Sequence, residues 1–322
     1  MAQFYHEIIE DEFTPTADGT ERWQLEEKNY SHFIVVMKAL NAGSNTKATL
    51  SQLLSAIELI RVKGEKETIY ELTGEELYVY TSLILGRDIW QENVVNTDNA
   101  VRCLPLIIPF GRRLYDPAEC LPASIAKDGE LIIQYDIADT GYDNLSFHIE
   151  AVSLPEAKPA NYLRAIRKRK TPSSTGEDEV DFATKTKYLG IILYGTTIRS
   201  GTSETYTIQK VKLLIDGKDA YYYEAHWEAL HGMLQNRINP TYAWANHFHM
   251  ENTASSYTQN ADTATDEVSE LSLAHYAYLD FDPLGDGQYI LDVTGANSLK
   301  LKCYFGDTNE ARFIPIELRP VG

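Results

Sequence analysis

The chain has 322 residues, with 29 Lys plus Arg against 47 Asp plus Glu and a net charge of −18. A surface that acidic repels phosphate backbones, which argues against sequence-independent nucleic-acid binding as the main activity. Hydrophobic content is 43% and charged content 24%, ordinary globular composition, and the length suits two domains of roughly 150 residues each.

The opening stretch, MAQFYHEIIEDEF, is acidic and lacks an apolar run, so no signal peptide is expected. Residues 1–20 read as an N-terminal arm in which Ile8, Ile9 and Phe13 give at most a short amphipathic turn. Strand signals begin at Trp23, and HFIVVMKAL (32–40) is an apolar run of strand length. The stretch 49–62 fits helix or strand, and a strand is expected over 54–62 because its later counterpart TYTIQKVKLLI (205–215) is rich in β-branched residues. Thr73 and Glu76 form a Thr-x-x-Glu capping box ahead of Leu77, Val79, Tyr80, Leu83 and Ile84, which predicts a helix over 73–85.

LPLIIPFGRRL (104–114) has Pro near both ends of its apolar run. Pro cannot donate to a ladder, so this strand is expected at an edge or short. Strands follow over 130–139 and 145–155, separated by the turn DTGYDN. Residues 156–181 read as a linker holding Pro159, the basic run RAIRKRK (164–170) and then the acidic GEDEVD. A strand over 188–198 opens the second half, and a helix is expected over 224–235. The polar stretch 236–270 is expected to be an exposed loop and the first site of limited proteolysis. Four strands close the chain: 274–281, 287–293, 299–305 and 311–318.

The two halves echo each other. Residues 57–84 and 211–234 both run from an apolar strand through a Gly-Lys turn into a helix, YELTGEEL against YEAHWEAL. Tyr70, Glu71, Glu75 and Leu77 match Tyr223, Glu224, Glu228 and Leu230 without a gap. IEAVSLP (149–155) closes the first half and IPIELRP (314–320) the second. Each half has several short strands and one helix, with turn signals between them. That pattern predicts an all-β sandwich or jelly roll, used twice, and excludes a doubly wound sheet.

On those paired helices, paired closing strands and single linker, the chain resembles the double jelly-roll major capsid proteins of tailless icosahedral viruses. Many of these viruses have an internal membrane, and the adenovirus hexon is a larger relative. The resemblance implies two tandem eight-stranded jelly rolls, each with a short helix insertion, over residues 21–155 and 182–322. It implies a homotrimer whose six rolls form a pseudo-hexagonal capsomer in an icosahedral shell. The implied partners are neighbouring capsomers, penton and minor capsid proteins and an internal membrane, without sequence-specific nucleic acid. The implied setting is the virion capsid, with synthesis in the host cytoplasm, and neither catalytic residues nor a cofactor are expected. Two rival readings are a metal-dependent enzyme of bicupin type and a carbohydrate-binding module. The four tryptophans, Trp23, Trp90, Trp227 and Trp244, are scattered between the halves, which weakens the second.

Individual candidate sites remain. His247, His249 and Glu251 resemble the HxH…E of cupins, with ordinary loop histidines as the competing reading. Asp280, Asp282 and Asp286 offer oxygen ligands at short spacing for a structural calcium, although Asp and Gly serve turns without any ion. Arg164, Arg167, Lys168, Arg169 and Lys170 form a candidate membrane- or genome-facing patch, against the reading of a solvated linker countering nearby acids. Trp227 sits at helical spacing from Leu230 and Met233, which favours core packing. Cys103, Cys120 and Cys303 are odd in number and lack a CxxC pair, which argues against a disulfide framework. None has a His-containing nucleophile motif beside it. GTSET (201–205) is not a Gly-x-Ser-x-Gly elbow, and phosphate-loop and dinucleotide fingerprints are absent.

Overall fold

The computed structural model describes residues 3–41, 50–87, 89, 99, 101–137, 142–198, 203–238, 250–253, 256–259 and 273–321. They fall into two compact units. One runs to Arg164 and takes in the last residues from Pro320; the other spans Ala165 to Arg319.

The first unit carries β1 (Tyr5–Phe13), β2 (Gly19–Gln24), β3 (Tyr30–Asn41), β4 (Ile57–Lys63), β5 (Thr68–Leu72), β6 (Val101–Pro109), β7 (Glu130–Tyr135) and β8 (Tyr142–Ser153). Its helices are α1 (Leu50–Ser55), α2 (Gly74–Leu85) and α3 (Ala123–Ala126). The strands form two antiparallel sheets, ordered β1–β8–β3–β6 and β2–β7–β4–β5. This is the eight-stranded order of a jelly roll. Rings from opposite sheets meet between them, with Phe13 of β1 and Phe147 of β8 both packing on Tyr135 of β7.

Strand alternation decides which side chains enter this core. On β3, Phe33, Val35 and Met37 are fully buried, while Ile34 and Val36 on the opposite face are only half-buried. Helix α2 forms where the capping box predicts it. The Glu76 amide donates to Thr73 Oγ1, and the Thr73 amide donates to Glu76 Oε2 at 2.9 Å. Gly86 ends it at φ 64, a left-handed conformation that glycine adopts without Cβ strain.

The second unit carries β10 (Lys168–Lys170), β11 (Gly176–Phe182), β12 (Lys187–Gly195), β13 (Ile208–Ile215), β14 (Lys218–Asp219), β15 (Ala225–His226), β16 (Met250–Thr253), β17 (Ser256–Gln259), β18 (Tyr276–Asp280), β19 (Leu291–Asp292), β20 (Leu299–Phe305) and β21 (Ala311–Pro320), with α4 at Trp227–Arg237. Strand β9 (Asn161–Ile166) precedes them and spans the division between the units. The sheets run β10–β21–β12–β18 and β11–β20–β13–β15, the order of the first unit repeated. Its core gathers Phe182, Tyr188, Ile191, Leu213, Trp227 and Phe313 among others, so Trp227 is the core residue its spacing predicts. Helix α4 follows β15 as α2 follows β5. Leu77 and Leu230 are buried at matching places on them, 0% and 2% exposed. Asp216 and Gly217 join β13 to β14 with φ 49 and 74, the two positive values of a tight primed hairpin turn.

Four expectations change. The strand expected over 287–293 shrinks to β19 at Leu291–Asp292, after a run of turns. Residues 5–13 are a sheet strand rather than an arm; the alternating charges of an edge strand hid it. The stretch 50–55 is a short helix, and its strand starts at Ile57. Much of the segment 156–181, read as a linker, is strand: β9, β10 and β11. Its buried apolar residues, Tyr162, Leu163, Ala165 and Val180, are spread among charged residues. The expected loop 236–270 lies largely outside the described residues.

Candidate assembly surfaces

The outward face of the β1–β8–β3–β6 sheet is ordered by register. Ile34 pairs with Ile107 on one side and Glu150 on the other, and Glu150 pairs in turn with Ile8. Val36 pairs with Pro105 and with His148. The centre of this face is therefore apolar and half-buried, and Ile8 at its edge is 59% exposed.

Ionisable groups flank that centre. His148 Nε2 donates to Glu150 Oε1 at 2.6 Å, while its Nδ1 faces the Asp11 carbonyl and carboxylate. Both ring nitrogens face oxygen acceptors, an arrangement that only the doubly protonated imidazolium satisfies. The bond to Glu150 accordingly raises His148 above the usual histidine range, and the same bond lowers Glu150. His6 on β1 meets the second oxygen of Glu150. His32 on β3 behaves oppositely. Burial pushes it down to about 4, with neighbouring His6 adding to the shift. Tyr115 stands edge-on to the His32 ring at 5.2 Å, and Phe4 packs on Tyr115 at 5.1 Å.

The corresponding face of the second unit is buried. Ile192 pairs with Tyr278 and Ile314, and the three are 0%, 3% and 0% exposed. None belongs to the core within the roll, so they form the rung on the opposite side of the sheet. Helix α4 lies along β18, with His231 Nδ1 at 2.8 Å from the Tyr276 carbonyl oxygen, and burial lowers the His231 pKa.

The outward face of β11–β20–β13 is a lattice of opposite charges. Lys302 meets Glu177 at 2.6 Å, Lys300 meets Glu179 at 2.8 Å and Lys212 meets Asp219 at 2.9 Å. Lys210 pairs with Glu224 and stands over the Tyr304 ring at 5.5 Å. Glu177, Lys210, Glu224, Lys302 and Tyr304 line a shallow depression there. Exposed pairs of this kind contribute little stability, typically below about 1 kcal/mol each.

The site residues expected from the sequence make local contacts. In the basic run, Arg164 Nε donates to the Thr68 carbonyl at 3.0 Å and Lys168 Nζ to the Asp181 carbonyl at 2.7 Å. Arg169 lies 3.8 Å from Glu310, and Lys170 is 2.7 Å from Asp178. Arg167 sits half-buried between β9 and β10. Arg164, Lys168, Arg169 and Lys170 thus sit on strands among local acids and carbonyls, with Lys168 and Arg169 exposed. Asp280, Asp282 and Asp286 each accept from a backbone amide two to five residues onward: Asp282, Gly287 and Gln288 respectively, at 2.8, 2.8 and 2.9 Å. They shape the 280–288 turn, and burial raises Asp280. Among the described residues, no three His, Cys, Asp or Glu side chains are grouped to hold a metal.

His247, His249 and Trp244 lie outside the described residues, and Glu251 is described only as a position in β16. Burial pushes Cys120 up to about 12 and raises Cys303 as well, the opposite of what a nucleophile needs. The apolar outward rung escaped the sequence reading. Its signal was present in HFIVVMKAL, which is apolar at both alternating positions rather than one.

No family model matches the sequence, and no curated protein matches it. Solved structures do. The major capsid protein of Sulfolobus Turreted Icosahedral Virus is 15% identical with a TM-score of 0.66, over 99% of this chain and 97% of that one. The major capsid protein of bacteriophage PM2 is 12% identical with a TM-score of 0.56, over 99% and 98%. A chain of the PBCV-1 virus capsid is 8% identical with a TM-score of 0.58, over 99% and 94%. The described residues have the double jelly-roll fold of these proteins.

Proposed function

We propose that this double jelly-roll chain is the major capsid subunit of an icosahedral virus and works by association rather than catalysis. The observation that carries the reading is the repeated eight-strand order. Its nearly full-length likeness to three viral capsid chains supports it. Two rolls of equal topology on one chain have similar footprints, so three chains present six such units and fill a six-fold lattice position. The functional unit is then a homotrimer, an obligate assembly burying more than about 2,000 Å² per interface. Its partners are neighbouring capsomers and penton and minor capsid proteins. Its place is the virion capsid, after synthesis in the host cytoplasm.

The test is the native mass of the purified protein by light scattering across a concentration series. A three-chain species that persists on dilution is expected. A single chain at every concentration would overturn the reading.

A further inference from the structure

Equivalent faces of the two rolls differ in one respect. The outward rung Tyr278–Ile192–Ile314 of the second roll is at most 3% exposed, whereas the corresponding rung Ile107–Ile34–Glu150 of the first is only half-buried. That half-buried rung runs on to Ile8, 59% exposed on the edge strand. Strand β3 nevertheless has the composition of a strand covered on both sides: Ile34 and Val36 alternate with the core residues Phe33, Val35 and Met37.

We propose that this face, centred on Ile34, Val36, Pro105 and Ile107, is where a second copy of the chain docks. The inference rests on the capsid reading above and adds to it the surface that joins the copies. The duplication argues for this occupant, because the same face is already buried where the fold occurs a second time in the chain. A closed ring of three needs two different patches on each copy, since only a head-to-tail contact generates a three-fold. The second patch is the exposed β11–β20–β13 face, whose Lys210, Lys302 and Glu177 meet the acids and imidazoles around the apolar centre. Tyr304, 39% exposed, supplies its ring to the centre itself.

Val36→Glu tests this, with Ile8→Asp as a second variant on an exposed edge position and Lys66→Glu, in the β4–β5 turn, as the control. Native mass and thermal midpoint are measured for each. The expected result is a three-chain wild type and control, with Val36→Glu and Ile8→Asp dissociating at concentrations on the order of 100-fold higher than wild type and melting as single chains at an unchanged monomer midpoint. If both variants stay three-chain like the control, this face is not the contact, while the capsid reading stands. If the wild type is a single chain throughout, the capsid reading and this occupant fall together. If Val36→Glu fails to fold, Ile8→Asp decides.

Discussion

His148 and Glu150 lie two residues apart on β8, side by side on its outward face, and their 2.6 Å contact extends on both sides to His6 and Asp11 of β1. None of the nine residues of β1 is buried; besides its ladder to β8 and this cluster, the strand is tied by Lys28 to Glu7, by Trp23 to Glu10 and by Phe13 packed on Tyr135. His148 is raised from 6.5 in the fold, so its contribution is complete below that value and is lost as pH rises through the folded pKa. Glu150 is lowered from 4.5, so its contribution is complete above that value and is lost as pH falls through the folded pKa. Lys38 on β3 and His32 are the other charged or titratable groups facing the cluster. Amide exchange over Tyr5–Phe13, corrected for intrinsic rates, should be slowest between about pH 5 and 6 and faster at pH 8.5. His148→Gln should flatten that profile; a variant that keeps the wild-type profile would show that the clasp does not hold β1.

His32 predicts the opposite dependence for the whole fold. Its pKa falls from 6.5 unfolded to about 4 folded because burial disfavours the charged ring. Between those values the unfolded chain binds more protons, so stability declines as pH falls from 6.5 to 4 and changes no further below that. At 1.36 kcal/mol per pKa unit the loss is about 3 kcal/mol. Urea unfolding at pH 7.5 and 4 should show His32→Gln losing about that much less than wild type. Equal losses would mean that His32 is solvated enough in the fold to take up its proton as readily as in the unfolded chain.

Leu77 and Leu230 hold equivalent positions on α2 and α4, and both are buried. Replacing either by Ala should cost ~2–5 kcal/mol, the range for truncating a buried leucine. Denaturant unfolding should place each loss in its own roll. A loss under about 1 kcal/mol would show that the helix is a peripheral insertion rather than part of the core.

Thr73 caps α2 through its hydroxyl, and Glu76 answers it from a fully buried position. Thr73→Ala should therefore cost about 1 kcal/mol, with Thr73→Ser recovering most of it. If the serine variant is as unstable as the alanine, the γ-methyl group rather than the hydrogen bond is what matters at this position.

How far the fold could be read depended on where its signals were local. Helix α2 was legible because Thr73, Glu76 and the apolar run behind them specify it within thirteen residues. The duplication was legible because Leu77 and Leu230 sit in matched helices, yet sequence matching went further than shared environment does. Tyr70 is buried against Tyr80, with hydroxyls 2.7 Å apart, whereas Tyr223 is 67% exposed. The reason is that β5 continues through Thr68–Leu72, while its counterpart β15 is only Ala225–His226. Strands β1, β9 and β11 were missed because edge and outward positions carry charges that dilute the period-two signal. The ladder between β1 and β8 joins residues more than a hundred apart, which no local pattern reveals. The outward rung was legible only in part: HFIVVMKAL is apolar at both alternating positions, but Ile8, Ile34, Ile107 and Glu150 become neighbours only through the register of four strands.

Electron microscopy of the purified assembly tests the central claim most directly. The account predicts a block with three-fold symmetry and six roll-sized densities in a pseudo-hexagonal outline. A compact particle without three-fold symmetry, or one with a single copy of the two rolls, would contradict it.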